Sequence, residues 1–378
     1  MKAKMSTGDL AALIKLGSSP LEYDPMRNAL THNYGRIEVS KGQLIIESTS
    51  ITMSARACGN VEEGSIDGYC CLPLESIADM LKVMPAGEYA TLELSKKDLK
   101  LTVGRSKCSF ICIDQDTIAP LGMVSEDLES IEVPLEDLVA AVRAASVTGE
   151  PNHADGIYSN VLLQVHKNKL KAVATDNIRC SIVTLPGEYS IDFKGLVSIK
   201  GAKALKALDC ENVTIAPFGE SILFLDGDGC FIQYQQSPEA MQKFPDFREV
   251  EIDDGIDELR ISTERFVTVI SGANKINSNE CLMVVEDDEL VISNANQSGA
   301  KYCSSVVYEG TPGYDLRVAL CPKTLADFLR TLKSDFISMR FSTDRNKVGC
   351  PCLVTIIDEG GTVFFVRSLV CLIESVEL

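Results

Sequence analysis

The chain repeats itself. Six amphipathic helix candidates recur along its 378 residues, each with apolar side chains at three- or four-residue spacing, the periodicity of one helix face. They begin near Ser6 (Leu10, Leu13, Ile14), Pro73 (Leu74, Ile77, Leu81), Pro134 (Leu135, Leu138, Val142), Ile199 (Leu205, Leu208), Ser262 (Phe266, Ile270) and Cys321 (Leu325, Phe328, Leu332). Pro73, Pro134 and Pro322 sit at or near a first helical position, where no amide hydrogen is needed, and Ser262 suits an N-cap. Successive starts lie roughly 59 to 67 residues apart, the period of a tandem structural repeat.

Between the helices run alternating apolar and polar residues joined by short polar turns, the pattern of β-hairpins. The turns fall at Lys41-Gly42, Lys96-Lys97-Asp98, Lys167-Asn168-Lys169, Phe218-Gly219-Glu220, Glu286-Asp287-Asp288-Glu289 and Asp344-Arg345-Asn346. Their spacing alternates between roughly 55 and roughly 70 residues, which groups six helix-plus-strands units into three pairs. Two acidic, irregular stretches, Asp114 to Glu132 and Phe244 to Glu258, divide the pairs. The expected fold class is therefore α+β, with three similar domains at residues 1–128, 129–254 and 255–378, each a pair of helix-plus-β-sheet units.

A net charge of -18 argues against wrapping nucleic acid with the whole surface, because phosphate binding needs clustered Lys and Arg. Summed over the six helices the balance is roughly five positive, although the second and third are slightly acid-biased. Lys200, Lys203 and Lys206 recur every three residues; Lys323, Arg330 and Lys333 outnumber Asp327 in the sixth helix; Lys15, Lys82 and Arg143 lie on the first three. Helices gathered on one phosphate-facing surface would produce this distribution, and so would Lys and Arg on ordinary solvent faces. Charge alone leaves both open.

The residues offer little to chemistry. Ala174-Thr175-Asp176-Asn177 reads as a polar turn, and Asp226 to Gly229 as a hairpin turn lacking the ligand series of a calcium loop. No glycine-rich phosphate loop occurs, and His32, His153 and His166 form no evident nucleophile set. The 14 cysteines have no zinc-site spacing and read as reduced thiols of a cytosolic protein. Trp is absent, which weakens base stacking on single strands. No signal peptide or run of eighteen apolar residues is read. The expectation is a non-catalytic protein without cofactor or metal; an enzyme on a repeated α+β scaffold would need a convergent polar pocket.

Two segments, Ser159-Asn160-Val161-Leu162-Leu163 and Leu170 to Arg179 (LKAVATDNIR), resemble the NGVLLE and VATDGHR elements of bacterial DNA polymerase III β sliding clamps. Lys243 to Val250 (KFPDFREV) resembles that family's FPDY segment, and Glu289 to Asn296 (ELVISNAN) is similar to a stretch of its third domain. The resemblance runs in order along the whole chain. It implies a head-to-tail homodimer that closes a ring around duplex DNA, with helices lining the hole. Retention would be topological, contacts to phosphate sequence-independent, and the result processivity of a replicative polymerase by raised effective concentration. A clamp-derived interaction scaffold that does not encircle DNA is the alternative.

By position, the DNA-facing set would be Lys15, Lys82, Arg143, Lys200, Lys203, Lys206, Lys323, Arg330 and Lys333. The resemblance also implies a groove that captures short linear peptides from polymerases, clamp loader and repair proteins. Its wall would comprise Tyr158, Thr175, Asn177, Ile178, Arg179, Pro245, Val250, Val366, Ser368, Leu369 and Val370, with apolar anchor pockets and polar orientation from Arg179 and Thr175. Asn177-Ile178 replaces the family's Gly-His, and Ser368-Leu369-Val370 replaces its usual ending before a further extension to Leu378. Those departures imply an altered peptide preference, as in a divergent or phage-encoded member, in the cytoplasm of a bacterial cell or its host. Ser271-Gly272 stands where the family often has an apolar pair at the ring seam.

Overall fold

The structure, a computed structural model, describes residues 1–22, 34–85, 87–113, 117–122, 124, 128–153, 156–176, 179–247, 258–286, 288–310, 317–342, 353–359 and 362–367. The chain opens with β1 (Lys2–Ser6), α1 (Thr7–Glu22), β2 (Gly35–Ser40), β3 (Gln43–Thr49), β4 (Met53–Asn60), β5 (Gly68–Leu72), α2 (Leu74–Val83), β6 (Tyr89–Ser95), β7 (Asp98–Val103) and β8 (Ser106–Ile111). A second series holds β9 (Ile131–Pro134), α3 (Leu135–Ala145), β10 (Asn160–His166), β11 (Lys169–Thr175), β12 (Arg179–Thr184), β13 (Lys194–Ser198), a 3-10 helix (Gly201–Ala207), β14 (Asn212–Phe218), β15 (Ser221–Leu225) and β16 (Phe231–Gln235), followed by the short α4 (Pro238–Lys243). The third series is β17 (Glu258–Ser262), α5 (Thr263–Ile276), β18 (Cys281–Glu286), β19 (Glu289–Ala295), β20 (Lys301–Glu309), β21 (Arg317–Leu320), α6 (Pro322–Leu329), β22 (Phe336–Ser342), β23 (Leu353–Asp358) and β24 (Val363–Arg367). Each series reads strand, helix, four strands, helix, three strands.

Pairing repeats as well. The sheets run β1-β6-β7-β8, then β5-β2-β3-β4-β16-β15-β14-β9, then β13-β10-β11-β12-β24-β23-β22-β17-β20-β19-β18-β21. They decompose into six quartets of two kinds. In one kind (β5-β2-β3-β4, β13-β10-β11-β12, β21-β18-β19-β20) a meander of three strands receives the fourth at its first edge. In the other (β1-β6-β7-β8, β9-β14-β15-β16, β17-β22-β23-β24) a strand from before the helix leads the meander. Two quartets of the first kind continue into one of the second kind: β4 pairs with β16 from Met53↔Tyr234 to Arg56↔Phe231, and β12 with β24 from Arg179↔Val366 to Ile182↔Val363.

By compactness the residues fall into two units, Met1–Val139 with Gly195–Met241 and Ala140–Lys194 with Gln242–Leu378. In the first, Leu10, Ile14 and Leu21 of α1 are fully buried, and α1 lies on β3 and β4 while touching α2 and the 3-10 helix. The approach is close because of Gly17: a Cβ there would meet Ile46 Cγ2 at 2.5 Å. In the second, α5 lies on β19 and β20 and touches α6, with Phe266, Ile270, Ala273, Leu325, Phe328 and Leu329 buried in one cluster. Burying a side chain of this size contributes ~1.5–3 kcal/mol.

Five of the six turns expected from sequence join antiparallel neighbours. Lys41-Gly42 and Lys167-Asn168 have positive φ at both central positions (50° and 78°; 51° and 61°), the geometry whose twist suits a two-residue hairpin. The sixth, at 344–346, lies outside the described residues, as do half of 114–127 and all of 248–257.

The helices need three corrections. The fourth is a seven-residue 3-10 helix, not an α-helix, and Lys200 is the residue before it. Tyr234 is the cause: its hydroxyl donates to the Gly201 carbonyl at 2.8 Å, and its ring sits 3.0 Å from where a Gly201 Cβ would be. The sixth ends at Leu329, so Arg330 is its C-cap and Lys333 lies beyond it. Ser262 is the N-cap of α5 but makes no side-chain capping bond.

Gly272 lies in the middle of α5, where alanine would ordinarily stabilise by ~1 kcal/mol. Tyr302 reverses the sign. Its hydroxyl donates to the Val269 carbonyl at 3.0 Å, and a Cβ on Gly272 would stand 2.3–2.6 Å from the ring and its oxygen. Gly272→Ala is therefore expected to destabilise by ~1–3 kcal/mol, the cost of overpacking. A urea midpoint at or above that of the parent chain would contradict this.

Candidate functional site

The turn between β11 and β12 gathers one part of the expected peptide wall. The Asp176 carboxylate accepts from the Arg179 amide at 2.7 Å and from Arg179 Nε at 2.6 Å, while Asp176 N donates to the Arg179 carbonyl at 3.2 Å. The Thr175 hydroxyl donates to that same carbonyl at 2.7 Å. Thr175 therefore closes the turn with its hydroxyl. Arg179 pairs through Nη2 with Asp176 and donates from Nη1 to Thr324 at the start of α6.

A two-pronged fork fixed by a carboxylate is the arrangement that holds a guanidinium in one plane. Its partner is part of the protein, so Arg179 presents an oriented donor edge more than a net charge. Beneath it, Thr148 donates to the Ala174 carbonyl at 2.9 Å. Cys180 is held neutral, its thiol pushed up to about 12 by burial and by Asp176.

On the neighbouring strand, Val366 is paired with Arg179 in backbone register. Tyr158 sits in the turn before β10, half-buried, with its ring edge-on to His153 at 4.8 Å. Pro245 stands exposed on the segment that Phe247 anchors against Lys171 and His166, near the other end of β10 and β11. Thr175, Arg179 and Val366 are thus brought together, and Pro245 has no hydrogen bond or ring contact to them among the described residues. Asn177, Ile178, Val250, Ser368, Leu369 and Val370 lie outside the described residues. Thr324, Thr148 and Asp176 are parts of this cluster that the peptide-wall reading omitted; no local pattern marks the first two.

The basic set is distributed over the helical layers. Lys15 on α1, Lys82 on α2 and Lys203 and Lys206 on the 3-10 helix are exposed, and α1 touches both of the other helices. Three-residue spacing eclipses side chains in a 3-10 helix, so Lys203 and Lys206 align more strictly than on an α-helix, with Lys200 just before it. Lys200 is half-buried. In the second unit Arg143, Lys323, Arg330 and Lys333 are exposed, and so are Arg265 and Lys275 of α5. Lys82 pairs with Asp79 at 2.8 Å and Arg330 with Asp327 at 3.1 Å. Both pairs are exposed and contribute little. Among the described residues, no three of His, Cys, Asp and Glu are grouped to hold a metal, and no helix is long and apolar enough to cross a membrane.

The threefold repetition of one topology has counterparts among solved structures. The β subunit of DNA polymerase III from Thermotoga maritima superposes with a TM-score of 0.84 at 20% identity, covering 97% of this chain and 99% of that one. This chain has the sliding-clamp fold. The β subunit from Pseudomonas aeruginosa gives 0.83 at 17% identity over 98% and 100% of the two chains, and the β sliding clamp of C. crescentus gives 0.82 at 16% over 98% of each. No protein-family model matches the sequence, and no curated protein matches it. The likeness to the sliding clamps therefore lies in the fold and spans nearly the whole chain.

Removing the Arg179 side chain would take the guanidinium donors from the Asp176 carboxylate, which keeps the Arg179 amide. Arg179→Ala is expected to destabilise by ~1–3 kcal/mol, the loss of charge-assisted hydrogen bonds. An unchanged urea midpoint would show the fork to be dispensable.

Proposed function

We propose that this protein is a DNA sliding clamp: a non-catalytic processivity factor that encircles duplex DNA as a homodimer and tethers a replicative polymerase. The support is the full-length match to DNA polymerase III β clamps in fold, together with exposed cations on helices of an otherwise acidic chain. In this reading the three series are three domains, 1–128, 129–254 and 255–378.

Strand pairing is the observation that carries the reading. The meander of the first series ends on β4 and joins the second series at β16; that of the second ends on β12 and joins the third at β24. By the same rule β20 of the third series needs a counterpart of β16 and β24, and in one chain that strand is β8 of the first. Among the described residues, β20 pairs beyond β19 only at Tyr308 and Glu309, with β17, and β8 ends the four-stranded sheet. Two open edges of complementary kind call for a second copy, head to tail, since a heterologous contact must close into a ring or grow into a fibre. Ile111 on β8 and Val307 on β20, 77% and 55% exposed, are the apolar residues such a seam would cover.

Lys15, Lys82, Arg143, Lys200, Lys203, Lys206, Lys323, Arg330 and Lys333 would face the phosphates. Topology would supply retention, so each contact need only be weak. The Arg179 cluster, with Tyr158, Thr175, Asn177, Ile178, Pro245, Val250, Val366, Ser368, Leu369 and Val370, would capture short linear peptides of polymerase, clamp loader and repair proteins. The setting would be the cytoplasm of a bacterial cell or its phage-infected host.

Light scattering after size exclusion is expected to give about twice the 41.1 kDa of the chain, and Ile111→Lys to shift the mass toward the monomer. A monomeric parent chain would remove the ring. Lys203→Glu with Lys206→Glu is expected to weaken binding to DNA at low salt without lowering the thermal midpoint, the deficit shrinking as salt is raised. Equal retention across the salt series would take both lysines out of the DNA-facing set.

A further inference from the structure

One end of the β4–β16 seam is built from sulfur. The ladder stops at Arg56↔Phe231, and just beyond it Cys58, two residues past Arg56, meets Cys230, the residue before Phe231. The Cys58 amide donates to Cys230 Sγ at 3.3 Å, Cys230 Sγ donates to the Cys58 carbonyl at 3.4 Å, and the two sulfurs stand 3.9 Å apart. The Cys230 side chain therefore lies across the Cys58 backbone where a further rung would be. Cys58 is half-buried and Cys230 buried. Gly229, whose hypothetical Cβ would lie 3.3 Å from Cys58 Sγ, leaves that sulfur uncrowded.

We propose that Cys58 and Cys230 are a peroxide-responsive thiol pair that oxidises to an intrachain disulfide across this seam. The Cys58 thiolate attacks one oxygen of hydrogen peroxide; the O–O bond breaks, hydroxide leaves and is protonated to water, and Cys58 becomes a sulfenic acid. Cys230 sulfur then attacks Cys58 sulfur. An S–S bond forms, the S–O bond breaks, and the departing hydroxide takes the Cys230 proton as a second water. Two thiols and one peroxide become one disulfide and two waters. The sulfurs, 3.9 Å apart and already in contact, close to a disulfide's roughly 2.05 Å as the bond forms.

The electrostatics favour Cys58 as the attacking group. Its hydrogen bond with Cys230 lowers its pKa and Arg56 assists, against burial, Asp226 and Asp228. Cys230 is pushed up by the same bond and by burial. The chain holds its own control in Cys70 and Cys112, which also share a hydrogen bond, with both thiols raised chiefly by burial. The two pairs are alike in exposure, one thiol half-buried and one buried, so thiolate character is what sets Cys58 apart from Cys112.

The reduced full-length chain would be exposed to hydrogen peroxide, quenched with a maleimide and mapped by mass spectrometry without reduction. The expected product is a linked Cys58–Cys230 peptide two hydrogens lighter than the thiols, with Cys70 and Cys112 alkylated. Cys230→Ala is expected to strand Cys58 as a sulfenic acid that a dimedone probe traps. Should that variant not fold, alkylation of the parent chain serves, with Cys58 reacting at least roughly tenfold faster than Cys70. Linkage of Cys70 to Cys112 first, Cys58 driven to sulfinic acid with Cys230 still alkylatable, or equal alkylation rates would overturn the proposal.

Discussion

An unpaired strand edge is a row of amide and carbonyl groups in need of partners, and the architecture of this chain is organised by how its edges are met. Within each quartet the hairpins settle the matter locally. Between quartets, β4 meets β16 and β12 meets β24, across about 175 and 180 residues of sequence, so that sheets from successive series merge. The pattern runs out at β20 and β8. A repeat that pairs each series with the next necessarily leaves one edge unmet at each end of the chain.

The helices follow from the sheets. Each amphipathic stripe needs an apolar face to lie on, and the meanders supply it: Leu10 and Ile14 on β3 and β4, Phe266 and Ile270 on β19 and β20. Two helical glycines mark close approaches, Gly17 beneath Ile46 and Gly272 beneath Tyr302. With their apolar faces covered, the helices turn Lys and Arg to solvent. Gly272 also explains why the α5 pair Ser271-Gly272 has no apolar bulk: the space is taken by Tyr302, and Ser271 accepts from Arg330 at 2.9 Å.

Much of this is legible in the sequence because it is local. Helix starts are written in three- and four-residue spacing, and hairpins in residues such as Asn168 and Gly42 that accept positive φ. The nature of the fourth helix is not, because Tyr234 comes from a strand thirty-three residues away and acts on the Gly201 carbonyl. The end of the sixth is equally hidden, since Arg330 continues the apolar–basic pattern while its backbone has already become the cap. At the peptide-binding candidate, the ATD-x-x-R turn can be read from Thr175, Asp176 and Arg179. The Thr324 contact depends on the packing of α6 and leaves no trace near residue 179. Seam pairings and the Cys58–Cys230 approach are longer-range still.

Topological retention is the property that separates a clamp from any protein that shares its fold or its charge. The direct measurement is co-elution with nicked circular DNA once the ring has been closed around it, followed by a single restriction cut. The account predicts that protein stays with the circles at a salt concentration that abolishes phosphate contacts and is released when the DNA becomes linear. Equal retention on circular and linear DNA, or none on either, would contradict it.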